Sequence, residues 1–447
     1  MMAAPTTAQR DLRAAWNDMM TTLGRAREAV DDPQLYPPPP TDRLLAEGYR
    51  YLLGFLFGAI ERALEDPRFP VFRRAIQPVD KATIDNADAI YLCAPIDGDG
   101  TYRVTGSARD HRHWRGAPPA ATGRKAPQYV IFEATTAYAG DSGTLAELSP
   151  AVRTNTGTLD SAKLVVEPDG SFEIVLAPRC PDGYTGNFIP TRRADHAASY
   201  LVLRELFHDW AREDLLDLRI VRVESEGAHP LPLDPRRAAE QMRRVGAIVD
   251  NQMRFWSEFY AVILEVYGDM NGDGKRFMPR NDLNAPNFAA IQTGGGQSSN
   301  LYAGGIYELG EDDALVLEVR VPVAPAYGGF HLANLWGESL DYANHVTSLN
   351  AFQAEADADG AVRYVIAHRD PGVPNWLDTT GHPEGFMALR WTYSEKPQAL
   401  PAVRVTKVDF DDIRRHLPTG VRTVSSEERR EQIRVRQEHV QRRYRQY

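Results

Sequence analysis

The chain has 447 residues, a formal net charge of −10, 25% charged and 43% hydrophobic residues. That is the balance of a soluble globular protein long enough for two or three domains with real cores. The acidic surplus argues against nucleic acid as a partner, because phosphate binding needs basic surface. Only two cysteines occur, Cys93 and Cys180, and the N-terminal stretch has no apolar signal core, so the expectation is a cytoplasmic protein without a disulfide framework and without a membrane partner.

Residues 1–80 read as a helical region. Leu12, Trp16, Met19, Met20 and Leu23 fall near helical spacing between about Thr6 and Val30, and the prolines of DDPQLYPPPP then favour an extended strut. A second helix starts at Thr41, with Leu45, Tyr49, Leu52, Leu53, Leu56, Ile60 and Leu64 as its expected apolar side. Its most apolar run, Tyr51 to Ile60, is too short to span a bilayer and reads as buried.

From 81 to 230 the pattern changes to short β-rich runs, among them AIYLCAPI, TYRVTGSA, QYVIFEAT and SYLVLRELF, the last followed by an expected short helix. Asp169-Gly170 predicts a hairpin within VVEPDGSFEIVL. Residues 231–295 hold a linking helix and loop: Asp234 caps, Pro235 opens, and Met242, Val245, Val249, Met253, Trp256, Tyr260, Ile263 and Tyr267 form one apolar stripe that should cross a core or lie between domains. Strands return over 296–420, with a second Asp-Gly hairpin at Asp359-Gly360. The Arg-rich end, 421–447, reads as a solvated helix or an arm for a partner chain.

The two β regions repeat one another. VVEPDGSFEIVLAPRCPDGYTGNFIPT and AEADADGAVRYVIAHRDPGVPNWLDT share a strand, an Asp-Gly turn, a second strand, Arg-x-Pro and an Asn followed by an aromatic. Arg179 then corresponds to Arg369, Pro181 to Pro371, Asn187 to Asn375, Phe188 to Trp376, and Arg204 to Arg390. The fold expected is mainly β with α, in two duplicated antiparallel β-sandwich or jelly-roll lobes, with a long linking helix and helical extensions at both ends.

The stretch AHRDPGVPNWLDTTGHPEGFMALRW, within a region running from about Gly294 to Ser394, resembles the signature of a bacterial family called domain of unknown function 1214. The resemblance implies paired β-sandwiches similar in shape to those of glycan-releasing amidases. It also implies a place among catabolic pathways for hydrophobic compounds such as steroids and terpenoids. No catalytic residues come with the family.

The segment from His368 to His382 offers the densest chemistry. Its Arg369, Asn375 and Trp376 recur in the first copy and therefore suit an architectural corner as well as a site. His368, Asp370, Asp378 and His382 are particular to the second copy, and an imidazole beside a carboxylate suits general acid–base work. These four are the candidate catalytic residues. Candidate substrate-binding residues are Arg369 and Arg390 for an oxyanion or carboxylate, Asn375, Trp376 and Trp336 for shape and apolar wall, and His331, Asn334 and His345 for directional hydrogen bonds. The histidine spacing does not suit a transition metal. Asp269, Asn271 and Asp273 begin like a calcium loop, but Arg280 stands where the bidentate glutamate belongs. The glycine-rich Thr293–Asn300 lacks the features of a P-loop and reads as a connection or a lid.

The function expected is a cofactor-free acid–base enzyme, of hydratase, isomerase, hydrolase or carbon–carbon lyase type. It would act on a small hydrophobic oxygenated compound such as a steroid or terpenoid catabolite. The alternatives are a carbohydrate-active or carbohydrate-binding sandwich, and a non-catalytic assembly protein, with the helical ends offering surfaces for a homodimer.

Overall fold

The computed structural model describes residues 5–32, 41–263, 278–288 and 300–445. Tyr267, the calcium-like residues Asp269, Asn271 and Asp273, and most of the glycine-rich segment lie outside the described residues. Polar caps start the helices where the sequence puts them. Thr6 and Gln9 form a reciprocal capping box at the start of α1 (Thr7–Asp31). Thr41 accepts from the Leu44 N–H ahead of α2 (Asp42–Ala63), and Asp234 accepts from the Arg237 N–H as Pro235 opens α3 (Pro235–Ala261). The predicted α3 stripe is the buried one: Val245, Val249, Met253, Trp256, Tyr260 and Ile263 pack into a core shared with α1, α2 and the second β lobe.

Helix α2 meets the expectation only in part: Leu45, Leu52 and Leu56 are half-buried against the core. Tyr49, Leu53, Ile60 and Leu64 are exposed, and the buried face is Gly48, Tyr51, Gly54, Phe55, Gly58, Ala59 and Arg62. The reason is close approach. A Cβ on Gly48 would collide with the Trp336 ring, on Gly54 with the Val79 carbonyl, and on Gly58 with the Asp80 carboxylate. The helix is therefore pressed down through its glycines, with Leu44, Leu45, Leu52 and Leu56 packed along the edge of the core and Leu53 facing outward.

The first lobe contains β1 (Ala89–Pro95), β2 (Tyr102–Ser107), β3 (Tyr129–Thr135), β4 (Asn155–Asp160), β5 (Ser171–Ala177), β6 (Asn187–Pro190), β7 (Tyr200–Leu206) and β8 (Asp217–Arg222). The second contains β9 (Asn300–Glu308), β10 (Asp313–Arg320), β11 (Tyr327–Ala333), β12 (Ser348–Asn350), β13 (Val362–Ala367), β14 (Trp376–Asp378), β15 (Glu384–Thr392) and β16 (Ala402–Asp409). One sheet of the first lobe runs β1-β7-β3-β4 and the other β8-β2-β5-β6; the second lobe repeats both orders as β9-β15-β11-β12 and β16-β10-β13-β14. Strand Arg73–Ile76 adds one extra edge to β1. In each lobe the two sheets face one core. Phe132 and Leu203 meet Val104 and Ile174 in the first, and Phe330 and Leu389 meet Leu317 and Ile366 in the second. The hydrogen-bonded sheets stay open rather than closing into a barrel among the described residues.

Two expectations about the strands are corrected. The β5–β6 and β13–β14 pairs are parallel, within otherwise antiparallel sheets. Both Asp-Gly turns form, but neither links two full strands. In the first lobe the Asn187 side chain takes over the pairing, accepting from the Val165 N–H and donating to the Val165 and Glu173 carbonyls. Asn375 does the same with Glu355 and Arg363. The repeated asparagine is thus an architectural bridge that satisfies backbone groups a ladder would otherwise satisfy. The short helix expected after β7 is a loop, in which the Glu213 carboxylate accepts from the His208 and Asp209 N–H groups.

Helix α4 (Ser426–Arg445) is neither a solvated extension nor a free arm. Arg436, His439 and Arg443 are each 1% exposed. Arg429, Arg436 and Arg443, seven residues apart, lie over Trp376 at 5.3 Å, Trp210 at 5.0 Å and Trp210 at 4.5 Å. A planar, weakly hydrated guanidinium stacks on aromatic faces, so an arginine stripe does here what leucines do elsewhere. Arg443 donates to the Ala87 carbonyl of the first lobe and Arg436 to the Tyr342 carbonyl of the second. The helix straps both lobes together.

A buried carboxyl in the first lobe gives a pH signature. Glu205 is fully buried inside the sandwich, where one oxygen accepts from the Leu216 N–H at 3.0 Å. Burial pushes its pKa up to about 8, partly opposed by Arg74. A folded-state pKa above the unfolded value stabilises at low pH, and that contribution is lost as pH rises through about 8. Asp80 and Glu213, both raised to about 7, act in the same direction. Glu205→Gln should therefore match the wild type in melting temperature near pH 5 and exceed it near pH 8. Equal melting temperatures at pH 8 would show that Glu205 is not held protonated.

Candidate functional site

A cavity of about 100 Å³ lies between the outer face of the first-lobe sheet and the helices α2 and α3. Strand alternation builds its floor. Leu201 and Leu203 of β7 point into the lobe core, so Val202 and Arg204 point outward, beside Tyr91 of β1, Glu133 and Thr135 of β3 and Asn155 of β4. The roof is the glycine face of α2, through Phe55, Gly58, Ala59 and Arg62, and Ile248, Gln252 and Trp256 of α3. The 75–83 stretch and the 137–139 loop close the sides.

The charged groups are held, Arg153 by donating to the Ala137 carbonyl at 3.0 Å. Arg204 pairs with Glu133, whose other oxygen accepts from Asn155 at 3.0 Å. Arg62 pairs with Asp141 and lies over the Tyr138 ring at 4.3 Å, and Tyr138 donates its hydroxyl to the Ala75 carbonyl at 3.0 Å. Asp80 sits against the bare Gly58 backbone. Burial raises its carboxyl to about 7, with the Arg73 and Arg62 charges offsetting part of the effect. A carboxyl poised between its two protonation states at neutral pH, in a mostly apolar hollow, is a group fitted to move a proton.

The strand registers show what the duplication did to this face. Arg204 lies opposite Tyr91, and Arg390 opposite Tyr302. Two residues along, Val202 lies opposite Glu133, and Ala388 opposite His331. Each arginine stands over its tyrosine ring, at 5.9 Å in the first lobe and 5.7 Å in the second. In the second lobe the space above the arginine is filled, and Arg390 donates to the Ile84 carbonyl. His331 beside it is 1% exposed and kept neutral by burial and by the Arg390 charge.

The residues singled out from the sequence do not assemble into one site. His368 meets neither Asp370 nor Asp378: its ring contacts Thr379 Oγ1 at 2.6 Å and the Leu309 carbonyl at 3.3 Å. Asp370 pairs with Arg429 of α4, and Asp378 is taken by His345 at 2.8 Å. His382 binds Glu47 of α2 at 2.8 Å. Two second-lobe histidines thus hold the 378–382 turn at Asp378 and Thr379, and a third, His382 within the turn, ties it to α2. Asn334 ties Glu47 to Glu338, and Trp336 donates to the Leu44 carbonyl while packing on Tyr51. Trp376 donates to the Ala367 carbonyl, and the exposed Arg369 pairs with Asp312. Of all these, only Arg390 belongs to the duplicated pair that marks the cavity, through its counterpart Arg204. Asp80, Tyr138 and Glu133 carried no motif. The available signal was the glycine face of α2, which ends in Arg62.

Among the described residues, no group of three or more His, Cys, Asp or Glu side chains is placed to hold a metal ion, and no helix is long and apolar enough to cross a membrane. Cys93 is buried and Cys180 exposed, both as free thiols.

Fold and cavity define a class: a duplicated two-lobe β protein, strapped by a terminal helix, with a helix-roofed hollow over the first copy. Residues 122–205, which run from the approach to β3 through most of β7, match the family described as protein of unknown function (DUF1214). The match falls on the first copy, whereas the motif resemblance was read on the second; the shared strand order makes these equivalent modules. An uncharacterized protein from Burkholderia cenocepacia has a similar crystal structure, with a TM-score of 0.73 and 29% identity over 90% of this chain and 99% of that one. The VPA0106 protein from Vibrio parahaemolyticus is more distant, at a TM-score of 0.40 and 12% identity over 80% of this chain and 98% of that one. No curated protein matches.

Proposed function

We propose that the protein is an acid–base enzyme that needs no organic cofactor and acts on a small, largely hydrophobic oxygenated molecule, with Asp80 moving the proton. The observation that carries this reading is the placement of the Asp80 carboxyl in a hollow walled in part by Phe55, Ile76, Val202, Ile248 and Trp256. The apolar walls hold the body of the substrate and exclude water, which keeps Asp80 near neutrality. The Arg204–Glu133 and Arg62–Asp141 pairs and Arg153 are held in the wall, and Asp80 is the group whose charge changes near neutral pH. Steroid- or terpenoid-derived fragments suit the Phe55, Ile76, Val202, Ile248 and Trp256 walls.

A thermal-shift screen of hydrophobic ketones, alcohols and acids alongside sugars tests this, using the wild type and Ala59→Phe, which fills the cavity from α2. A hydrophobic compound at roughly a hundredfold excess over its Kd should stabilise the wild type by about 2–3 kcal/mol and leave Ala59→Phe unmoved. Stabilisation by sugars alone, or stabilisation that survives the filled cavity, would place the function elsewhere.

A further inference from the structure

The second lobe shows what the duplicated arginine–tyrosine pair binds. Arg390, over Tyr302, donates to a carbonyl oxygen supplied by the same chain, that of Ile84. The delivering segment is bent for the purpose. Thr83 and Ile84 have φ of 67° and 53°, consecutive left-handed backbone in two β-branched residues, a conformation that costs roughly 1–2 kcal/mol per residue. In the first lobe the equivalent Arg204 stands over Tyr91 in the same way, but a cavity replaces the carbonyl.

Charge narrows the guest further. Arg204 is already neutralised by Glu133, which occupies the place of the neutral His331. A guanidinium carries five N–H groups, and this ion pair uses only one of its nitrogens. The wall carries Arg62, Arg153 and Arg204 beside Asp80 and Glu133; an added carboxylate would meet both acidic groups at close range, whereas a neutral carbonyl oxygen accepts a hydrogen bond and brings no charge.

We propose that Arg204 and Tyr91 form a carbonyl subsite, and that the cavity takes a small hydrophobic ketone or aldehyde whose oxygen accepts from Arg204 as the Ile84 oxygen accepts from Arg390. This rests on the reading of the cavity as the functional site, and it names the group by which the substrate is held.

Matched probes test it by calorimetric titration of the full chain: cyclohexyl methyl ketone, cyclohexanecarboxylate and ethylcyclohexane. The ketone should bind at least about tenfold more tightly than the hydrocarbon, the ordinary worth of a hydrogen bond to a charged donor. The double variant Arg204→Met/Glu133→Gln, which leaves no buried carboxylate unpaired, should erase that difference. If it does not fold, Arg204→Lys keeps the charge and loses the fork, and ketone affinity should still fall severalfold. Ketone and hydrocarbon binding alike, in a manner blocked by Ala59→Phe, would overturn the carbonyl subsite and leave the cavity as the binding site. Carboxylate binding more tightly than ketone would overturn the neutral guest. Binding of none of the three would overturn the subsite and count against the cavity reading with it.

Discussion

Asp88→Ala is expected to cost about 3–5 kcal/mol of stability, the usual penalty for removing one partner from a buried charged network. Asp88 is 1% exposed and is the point where both lobes and the strap meet. Its Oδ1 accepts from the Trp210 indole and the Asn350 amide, each at 2.8 Å, and its Oδ2 accepts from the Tyr327 hydroxyl at 2.7 Å. Trp210 belongs to the first lobe, and Tyr327 and Asn350 to the second. The buried Arg443 and Arg436 of α4 lie close enough for their charges to favour the carboxylate, against a burial that raises its pKa. Alanine would leave the Trp210 indole without its acceptor, take one acceptor from the Asn350 amide and the Tyr327 hydroxyl, which keep the Phe207 and His208 carbonyls and Asn86, and remove an anion near two buried cations. Asp88→Asn keeps the shape and should fall between the two. A thermal melt that places Asp88→Ala within a degree of the wild type would show that the lobes are held together by apolar packing alone.

Asp80→Asn should cut turnover sharply while leaving ligand binding close to normal. General acid–base groups contribute about 10²–10⁴-fold to rate, so kcat is expected to fall by that factor with little change in Kd. The asparagine fills the same space against Gly58 and cannot exchange a proton. The pH profile makes the claim specific. With Asp80 raised to about 7, wild-type activity should have a limb centred there. The limb rises with pH if the carboxylate takes the proton, falls if the acid gives it, and vanishes in the variant. The same substitution should slightly stabilise the fold above pH 7, where the wild type must carry a buried charge. A variant that retains turnover and the limb would remove Asp80 from the chemistry.

Locally written features were legible in the sequence. The Thr6, Thr41 and Asp234 caps and the α3 stripe follow from side-chain chemistry within a few residues of one another, and tertiary packing had only to accept them. The internal repeat was equally readable. Asn187 and Asn375 bond backbone groups in the same way in both lobes, so each copy kept the residue. The pairing of Arg204 with Arg390 came from the same comparison, although the sequence did not say which of the two faces an empty space.

Helix faces and charge pairing were another matter. On α2, hydropathy found Leu45, Leu52 and Leu56, which pack on the core, but also pointed to Tyr49, Leu53, Ile60 and Leu64, which are exposed, because a face of glycines has no hydropathy of its own until Trp336 and Asp80 approach it. On α4, arginines looked solvated because their aromatic partners lie in other lobes.

The sequence by itself determined the helix starts, the two copies of the β module and the residues that bridge each copy internally, since all of these depend on short-range bonding or repeated patterns. Only the tertiary structure decided that the hollow lies over the first copy and that Asp80 sits within it. It also sent each second-lobe histidine to a different neighbour. A cavity and a shifted pKa arise from exclusion of water by groups far apart in the chain, from Phe55 to Trp256, and no local pattern records which of them will meet.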